Sequence, residues 1–502
     1  MELSVLDVLL FIVATIITIW FYFQNSYRYW DKRQVPYLKP VFPYGNSTTL
    51  LQKDSLPAGE VYNWYNELKN KGHQFGGVWS FSRPVFVVLD PEYIKDILTK
   101  DFHHFVNREI YCNEKHDPLG TNLFNIEEQS WKLLRQKLTP TFTSGKMKMM
   151  FKSIVDCSDN MIKFLEKKSD ADEDIDIREV LASFTSDVIG NVAFGVESNS
   201  FDDSKNDIRK YGKEIFETFD LLLLLRIAAQ RICPNISKKL GIKSMPDRMI
   251  EFFSNLVKTT MEYRTKNNIT RPDFLQLLID MHQEGETSEK YVNFDQIVAN
   301  TLLFFIAGFD TSSTTMTFTL YELARCPDIQ EKTRQEIQKV LSKHENKLTY
   351  EALQEMTYLQ QVVDEAMRIW PPLITLGRIC TRDYRLRDSD IVIEKGTPVV
   401  ISTLGLGRDP RYYADPEKFD PERFSSEEKN KRHPYIHIPF GEGPRNCIGL
   451  RFGLMQSKIG IIRILTNFRI HISTKTKMPL TVDPSIFLLK SNETLYLKAE
   501  KM

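Results

Sequence analysis

Apolar positions fall into three kinds of run along this chain. The first is continuous. Leu3 to Phe23 is nearly all apolar, broken by Ser4, Asp7, Thr15 and Thr18, which is about the length of one bilayer-spanning helix. Arg28, Lys32 and Arg33 follow closely, and Tyr22, Phe23, Tyr27, Tyr29 and Trp30 form an interfacial aromatic cluster. No A-x-A-like cleavage site follows, so the pattern predicts an uncleaved anchor over residues 1–30, with the rest of the chain on the positive side. Pro36, Pro40, Pro43 and Gly45 then stop the helix and stiffen a connector over residues 31–45. The second kind of run has a helical period. Asn293 with Gln296 three residues on reads as a reciprocal N-cap, and Pro327 stops the pattern after Cys326. That predicts a helix of about 32 residues and about 48 Å, too long for an ordinary surface helix. Its middle, Leu302–Ala307, is apolar all round and is expected to be buried. The third is the leucine block Leu221–Leu225, either a buried helix face or a second membrane contact. Residues 46–502 contain no Gly/Ser linker, low-complexity tract or internal repeat, which favours one large domain.

Local rules break inside the long helix, at Ala307-Gly308-Phe309-Asp310-Thr311-Ser312. A glycine in a helix interior costs about 1 kcal/mol relative to alanine. An acid beside hydroxyls in a buried helix costs more unless it is hydrogen-bonded. Such breaks often mark a functional site. Ala307 and Gly308 open space for a diatomic molecule, Thr311 can hydrogen-bond within it, and Asp310 can relay protons from water. The plainer alternative is that Thr311 bonds back to the carbonyl four residues earlier and bends the helix.

The second break is the loop Phe440-Gly441-Glu442-Gly443-Pro444-Arg445-Asn446-Cys447-Ile448-Gly449. Gly441 and Gly443 let the backbone turn tightly and approach a flat group closely. Arg445 offers a planar fork suited to a carboxylate. Taken alone, Cys447 would be one more small buried hydrophobe. In this frame the F-x-x-G-x-R-x-C-x-G run resembles the haem-binding loop of the cytochrome P-450 superfamily. The resemblance implies that Cys447 is a thiolate ligand to haem iron, which favours O–O cleavage. It also implies that Phe440 shields the sulfur, that Gly449 lies against the porphyrin and that Arg445 reaches a propionate.

Other motifs follow in family order. The run at Ala307–Thr311 is similar to the A-G-x-D-T oxygen-activation motif, giving Ala307 and Gly308 an oxygen groove and Asp310 and Thr311 the catalytic roles. Glu365 and Arg368 match E-x-x-R, and Arg423 lies in Pro421-Glu422-Arg423-Phe424. By resemblance these three form a buried charge network. Trp131 and Arg135 match W-x-x-x-R, and with Arg378 they are implied propionate contacts. Phe124, Phe309, Thr375, Leu376 and Phe487 are the pocket-lining candidates by position. Leu138–Met147 looks like the microsomal type. Asp101-Phe102, Asn113-Glu114-Lys115, Asp117-Pro118-Leu119 and Leu123-Phe124 look like the insect detoxification branch. The fold so implied is mainly α with small β-sheets (α+β). The activity implied is a haem-thiolate monooxygenase with haem b. It would insert one oxygen atom from O2 into lipophilic small molecules such as xenobiotics, insecticides, plant toxins or hormones.

Composition narrows the partners. The 502 residues carry a formal net charge of +0, and the pI is near 7.1, which argues against a nucleic-acid binder. The six cysteines include no C-x-x-C pair and make no disulfide framework, which fits reduced cytosolic thiols. The sequons at Asn46, Asn235, Asn268 and Asn492 would then be silent. Gly405-Leu406-Gly407 lacks a third glycine and reads as strand-to-turn, not as a dinucleotide fingerprint. Electrons must therefore come from another protein. The resemblance implies NADPH–cytochrome reductase, with cytochrome b5 as a candidate second donor. A basic docking face is expected from among Lys132, Lys137, Lys146, Lys148, Lys429, Lys431 and Arg432. The anchor and the resemblance together imply the endoplasmic reticulum membrane, with the catalytic domain on the cytosolic face. The competing readings are a haem-binding gas sensor or carrier without turnover and an anchored adaptor without haem. The Asp310–Thr311 pair favours the enzyme, since a sensor has no use for proton delivery.

Overall fold

The structure is a computed structural model. It describes the chain apart from residues 1–4, 48–58, 109, 197–198, 203–209, 212–213, 215–225, 227–228, 231–232, 244, 272 and 483–487. Phe487 and Leu221–Leu225 lie outside the described residues.

The apolar N-terminal run forms a helix, Val5–Ser26, with no buried residue. Residues Val5–Arg33 are long and apolar enough to cross a bilayer, with a mean hydropathy of 2.3. Thr15 and Thr18 donate to Phe11 O and Ala14 O, each at 2.7 Å. Both hydroxyls are thus satisfied inside the helix, as an apolar medium demands. The chain then docks. Trp30 is fully buried and donates its indole N–H to Val78 O at 3.0 Å. A Cβ on Gly77 would lie 2.3 Å from the Trp30 ring, so only glycine admits the indole there. Val35 and Leu38 are buried, and Leu38 N–H donates to Gly77 O at 3.0 Å. The proline-containing stretch therefore runs along the edge of a sheet.

That sheet has strands β1 (Phe75–Ser80), β2 (Arg83–Val88), β7 (Pro398–Ser402) and β4 (Thr375–Ile379), in the order β1-β2-β7-β4. Strands β2 and β7 run parallel, and the other pairs are antiparallel. Among the described residues, β3 (Ile175–Asp176), β9 (Tyr496–Lys501) and β8 (Phe468–Ile472) form a second sheet, and β5 (Tyr384–Arg385) and β6 (Val392–Ile393) a hairpin. All three are small beside the helical part.

The helical part is built around Phe294–Arg325, 32 residues long. Its start is the reciprocal cap expected from sequence. Gln296 N–H donates to Asn293 Oδ1 at 2.8 Å, and Asn293 N–H to Gln296 Oε1 at 3.2 Å. Cys326 ends it, and Pro327 opens the next helix, Pro327–Lys343. The long helix packs against Ile177–Ile189, Thr357–Ile369 and Leu450–Asn467. Its middle is not buried all round. Ala307 is exposed and Gly308 half-buried, because one face borders an internal cavity.

One local expectation fails. Gly405 and Gly407 do not sit in a turn but in a short helix, Thr403–Gly407, whose Gly405 N–H is capped by Ser402 Oγ at 3.0 Å. Their role is close packing. A Cβ on Gly407 would lie 2.3 Å from Arg368 O, and one on Gly405 2.6 Å from the Tyr65 ring.

Candidate active site

The Cys447 loop is set by backbone geometry. Gly441 and Gly443 have φ of 69° and 75°, where a side chain is strained. Cys447 N–H donates to Phe440 O at 2.9 Å, closing the loop on itself. A Cβ on Gly443 would lie 1.9 Å from Leu98 O, so the loop also presses on a neighbouring backbone. Gly449 has open space where its Cβ would be, and the Leu450–Asn467 helix starts directly after it. Cys447 has accessible surface, yet it is the surface of the cavity wall. Burial pushes its thiol up, while the Gly449 backbone and the Arg108 and Arg135 guanidiniums pull it back.

The cavity is continuous and measures about 2030 Å³. One wall is the loop, with Phe440, Arg445, Cys447 and Gly449. The long helix supplies another through Ala307, Gly308, Thr311 and Thr315, at helical spacing. Thr375 and Leu376 on β4, and Phe124, also line it. Phe309 does not. It stacks on Phe305 at 5.8 Å beside Phe253 and Phe194, two residues round the helix from the cavity-facing stripe.

Asp310 and Thr311 have specific partners. Thr311 donates to Ala307 O at 2.5 Å, the back-bonded geometry, while its side chain still faces the cavity. The proton is engaged, and the oxygen lone pairs remain available as acceptors. Asp310 is buried and accepts from Arg178 Nη2 at 3.1 Å. Arg178 was not foreseen from sequence, because no motif reaches back 132 residues to it.

Besides Arg83 in the outer part of the cavity, four arginines converge beside the cysteine loop: Arg108, Arg135, Arg378 and Arg445. Arg445 donates to Ile126 O at 2.6 Å and lies 4.5 Å from the Trp131 ring centre. Arg135 donates to Asn446 O at 2.9 Å and Asn446 Oδ1 at 2.8 Å, so it also braces the cysteine loop. The Nε atoms of Arg378 and Arg445 are buried without a hydrogen-bond partner. Burial pushes Arg378 down to about 10. Burial, then Arg378 and Arg135, push Arg445 down to about 9, offset in part by Glu127. Burial, then Arg378 and Arg445, push Arg108 well down. Arginine keeps its proton in proteins. This stress therefore marks a cavity wall shaped for a group carrying negative charge. A flat macrocycle with two carboxylates, seated on a thiolate, fits that wall. Arg108 had no motif signal and was missed from sequence.

Behind the site, Arg368 and Glu365 are fully buried and joined at 2.6 Å and 2.8 Å. Arg368 also donates to Gly407 O at 2.6 Å and Pro416 O at 2.8 Å. Arg423 lies 3.4 Å from Glu365. The three residues thus meet, with backbone carbonyls meeting the remaining guanidinium donors of Arg368. A second tie runs through Asn300, buried on the long helix. It accepts from Leu123 N–H at 3.0 Å and holds the loop that carries Phe124. Of the basic surface residues, Lys137 donates to Tyr291 O at 2.6 Å, Lys148 pairs with Glu351, and Lys431 pairs with Glu427 and Glu428. Lys132 and Lys429 are exposed.

A model of the cytochrome P450 family matches residues 39–498. The chain is 40% identical to "Probable cytochrome P450 6a20" of Drosophila melanogaster, over 100% of both chains. It is 40% identical to "Probable cytochrome P450 6a23" of the same organism over 99% of this chain and 100% of that one. To "Cytochrome P450 6a2" it is 37% identical, again over 99% and 100%. With the glycine-turned cysteine loop facing the helix that carries Asp310 and Thr311, these matches settle the assignment: the chain belongs to the cytochrome P450 family.

Proposed function

We propose that this member of the family is an NADPH-dependent monooxygenase of the endoplasmic reticulum membrane. Its catalytic domain faces the cytosol, and it inserts one oxygen atom of O2 into lipophilic small molecules of the xenobiotic, insecticide, plant-toxin or hormone kind. In this reading residues 1–30 are the anchor, 31–45 the connector and 46–502 the catalytic domain. Haem b would be the cofactor, which Cys447 would hold through its thiolate and Arg108, Arg135, Arg378 and Arg445 through its carboxylates, with Trp131 alongside. Haem held by a thiolate supplies the cleavage of O2. Overall, two electrons and two protons enter, and the second oxygen atom leaves as water.

The remaining work falls to side chains of this chain. Phe440 excludes water from the sulfur side. Ala307 and Gly308, lacking bulk, leave room for a diatomic molecule. Asp310, fixed by Arg178, moves protons from the solvent side to Thr311, which presents its oxygen to the cavity. Electrons arrive from NADPH–cytochrome reductase, and cytochrome b5 is a second donor. Lys132 and Lys429 suit the docking face because both are exposed and basic. A lipophilic substrate is supported by the Phe124, Thr375 and Leu376 wall, and the similarity to the fly cytochromes P450 6a20 and 6a2 is consistent with it.

The observation that carries the reading is the pairing of walls: a turned cysteine loop on one side and a face of Ala307, Gly308 and Thr311 on the other, with arginines between them and Asp310 buried behind Thr311 rather than lining the cavity. The reduced, carbon-monoxide-treated protein should show the thiolate Soret band. Cys447→Ala should abolish it. A band that survives the substitution refutes the ligand assignment.

A further inference from the structure

The cavity does not end at the site. Its outer part is bounded by three elements: the β1–β2 turn, the Gly59–Asn70 helix through Glu60, Val61 and Trp64, and the last turns of the N-terminal helix. The residues contributed by that helix are Thr18, Ile19, Tyr22, Phe23, Asn25 and Ser26, and Tyr29 follows just past its end. At 3.6 residues per turn the six helical positions fall within about half of the circumference, so the helix turns one face to the cavity.

The same turns are latched to the catalytic body. Ser26 Oγ donates to Ser82 O, and Trp79 Nε1 donates to Ser26 O at 3.0 Å. Phe23 meets Phe42 edge-on at 5.2 Å, and Gly45 N–H donates to the Tyr27 hydroxyl at 3.2 Å. Tyr29 donates to Glu394 at 3.1 Å, and Arg33 pairs with the same carboxylate at 2.6 Å. A tether would need none of these contacts. With them, the helix holds one register against the cavity mouth.

We propose that the C-terminal turns of the anchor helix form one wall of the substrate access route. Residues on its cavity face, Ile19 and Tyr22 among them, then set which lipophilic molecules pass from the bilayer to the site. The inference rests on the haem-thiolate reading only for its reporter. Molecules dissolved among lipid tails meet the helix first, and the mouth lies beside it. Passage is then a matter of bulk along that face. A small water-soluble ligand has no need of the wall.

The test uses the full chain in phosphatidylcholine nanodiscs, with two probes that shift the Soret band on binding: imidazole and the bulky lipophilic azole clotrimazole. Ile19→Trp adds bulk on the cavity face, and Ile17→Trp adds the same bulk on the opposite face of the helix, where Ile17 is exposed and outside the cavity lining. Stopped-flow mixing should show clotrimazole associating about 3-fold or more slowly with Ile19→Trp, the usual place for a route effect to appear being the on-rate. Imidazole rates, and both rates in Ile17→Trp, should stay at the parent value. Tyr22→Ala should move clotrimazole the other way. Equal clotrimazole rates in Ile19→Trp and Ile17→Trp overturn the proposal, as does equal slowing of both probes. Absence of any Soret band in the parent protein would instead overturn the haem-thiolate reading, so the two failures are distinct.

Discussion

Thr311 carries a hydrogen bond and a cavity-facing acceptor in the same atom. Its proton goes to Ala307 O at 2.5 Å, and its lone pairs face the cavity. Thr311→Ala should leave the fold intact, because the lost bond is internal to one helix. It should also uncouple NADPH consumption from product, and stoichiometry of NADPH against product in the reconstituted system reads this directly. Unchanged coupling would remove Thr311 from proton transfer. Lys458 shows the opposite case, a charge with no catalytic use. It is buried and donates to Leu353 O at 3.0 Å. Burial pushes its ammonium down to about 8 from 10.5, against the pull of Glu336 and Asp364. The unfolded chain thus holds this proton more tightly than the folded one. The penalty is complete below about pH 8 and fades as pH rises toward the ordinary lysine value. Lys458→Met should raise stability at pH 7 by on the order of 2 kcal/mol, after about 1 kcal/mol for the lost hydrogen bond. Thermal melts at pH 7 and pH 10 check this, and a gain independent of pH would refute the cause.

At the scale of elements, the long helix was the most legible part of the chain. Its cap, its stop and its length all followed from Asn293, Gln296 and Pro327, since capping is local chemistry that a sequence states outright. What lies across from it was not local and was not legible. Asp310 finds Arg178 from another helix, and Phe309 turns away from the cavity, because the contacts depend on how the helices pack. The cysteine loop and the Glu365–Arg368–Arg423 cluster were readable as motifs, whereas Arg108 stood in no pattern and is evident only from the convergence of four guanidiniums. Gly308 gives the helix pair a test. A Cβ there would lie 2.5 Å from Ile189 Cδ1. The crowded atom is the free end of a side chain that itself borders the cavity, so it has space to swing aside. Gly308→Ala should therefore leave stability within about 1 kcal/mol of the parent, slight overpacking being set against the better helix propensity of alanine. A loss of several kcal/mol in denaturant titration would mean that Ile189 is held fixed.

The whole molecule joins two cores, a helical one around the long helix and a smaller one in which Trp30, Tyr65 and Trp79 pack on the four-stranded sheet. The site lies where they meet: the long helix belongs to the first, and Leu376 on β4 packs against the second. The connector that the prolines stiffen is also packed down, since Trp30, Val35 and Leu38 are buried against the sheet core. Sequence could not show this, since the partner surface is Gly77 and Val78, some 40 residues on.

The four crowded arginines have a consequence for the living cell. A binder that engages only the native chain lends it stability by mass action, and here the binder also relieves like charges that Glu127 offsets only in part. Newly made chains should thus persist or perish according to the porphyrin available to them. Blocking tetrapyrrole synthesis in an expressing culture should shorten the protein's half-life several-fold in a pulse-chase, with its messenger RNA unchanged. An equal half-life with and without the block would mean that the cluster is tolerated bare.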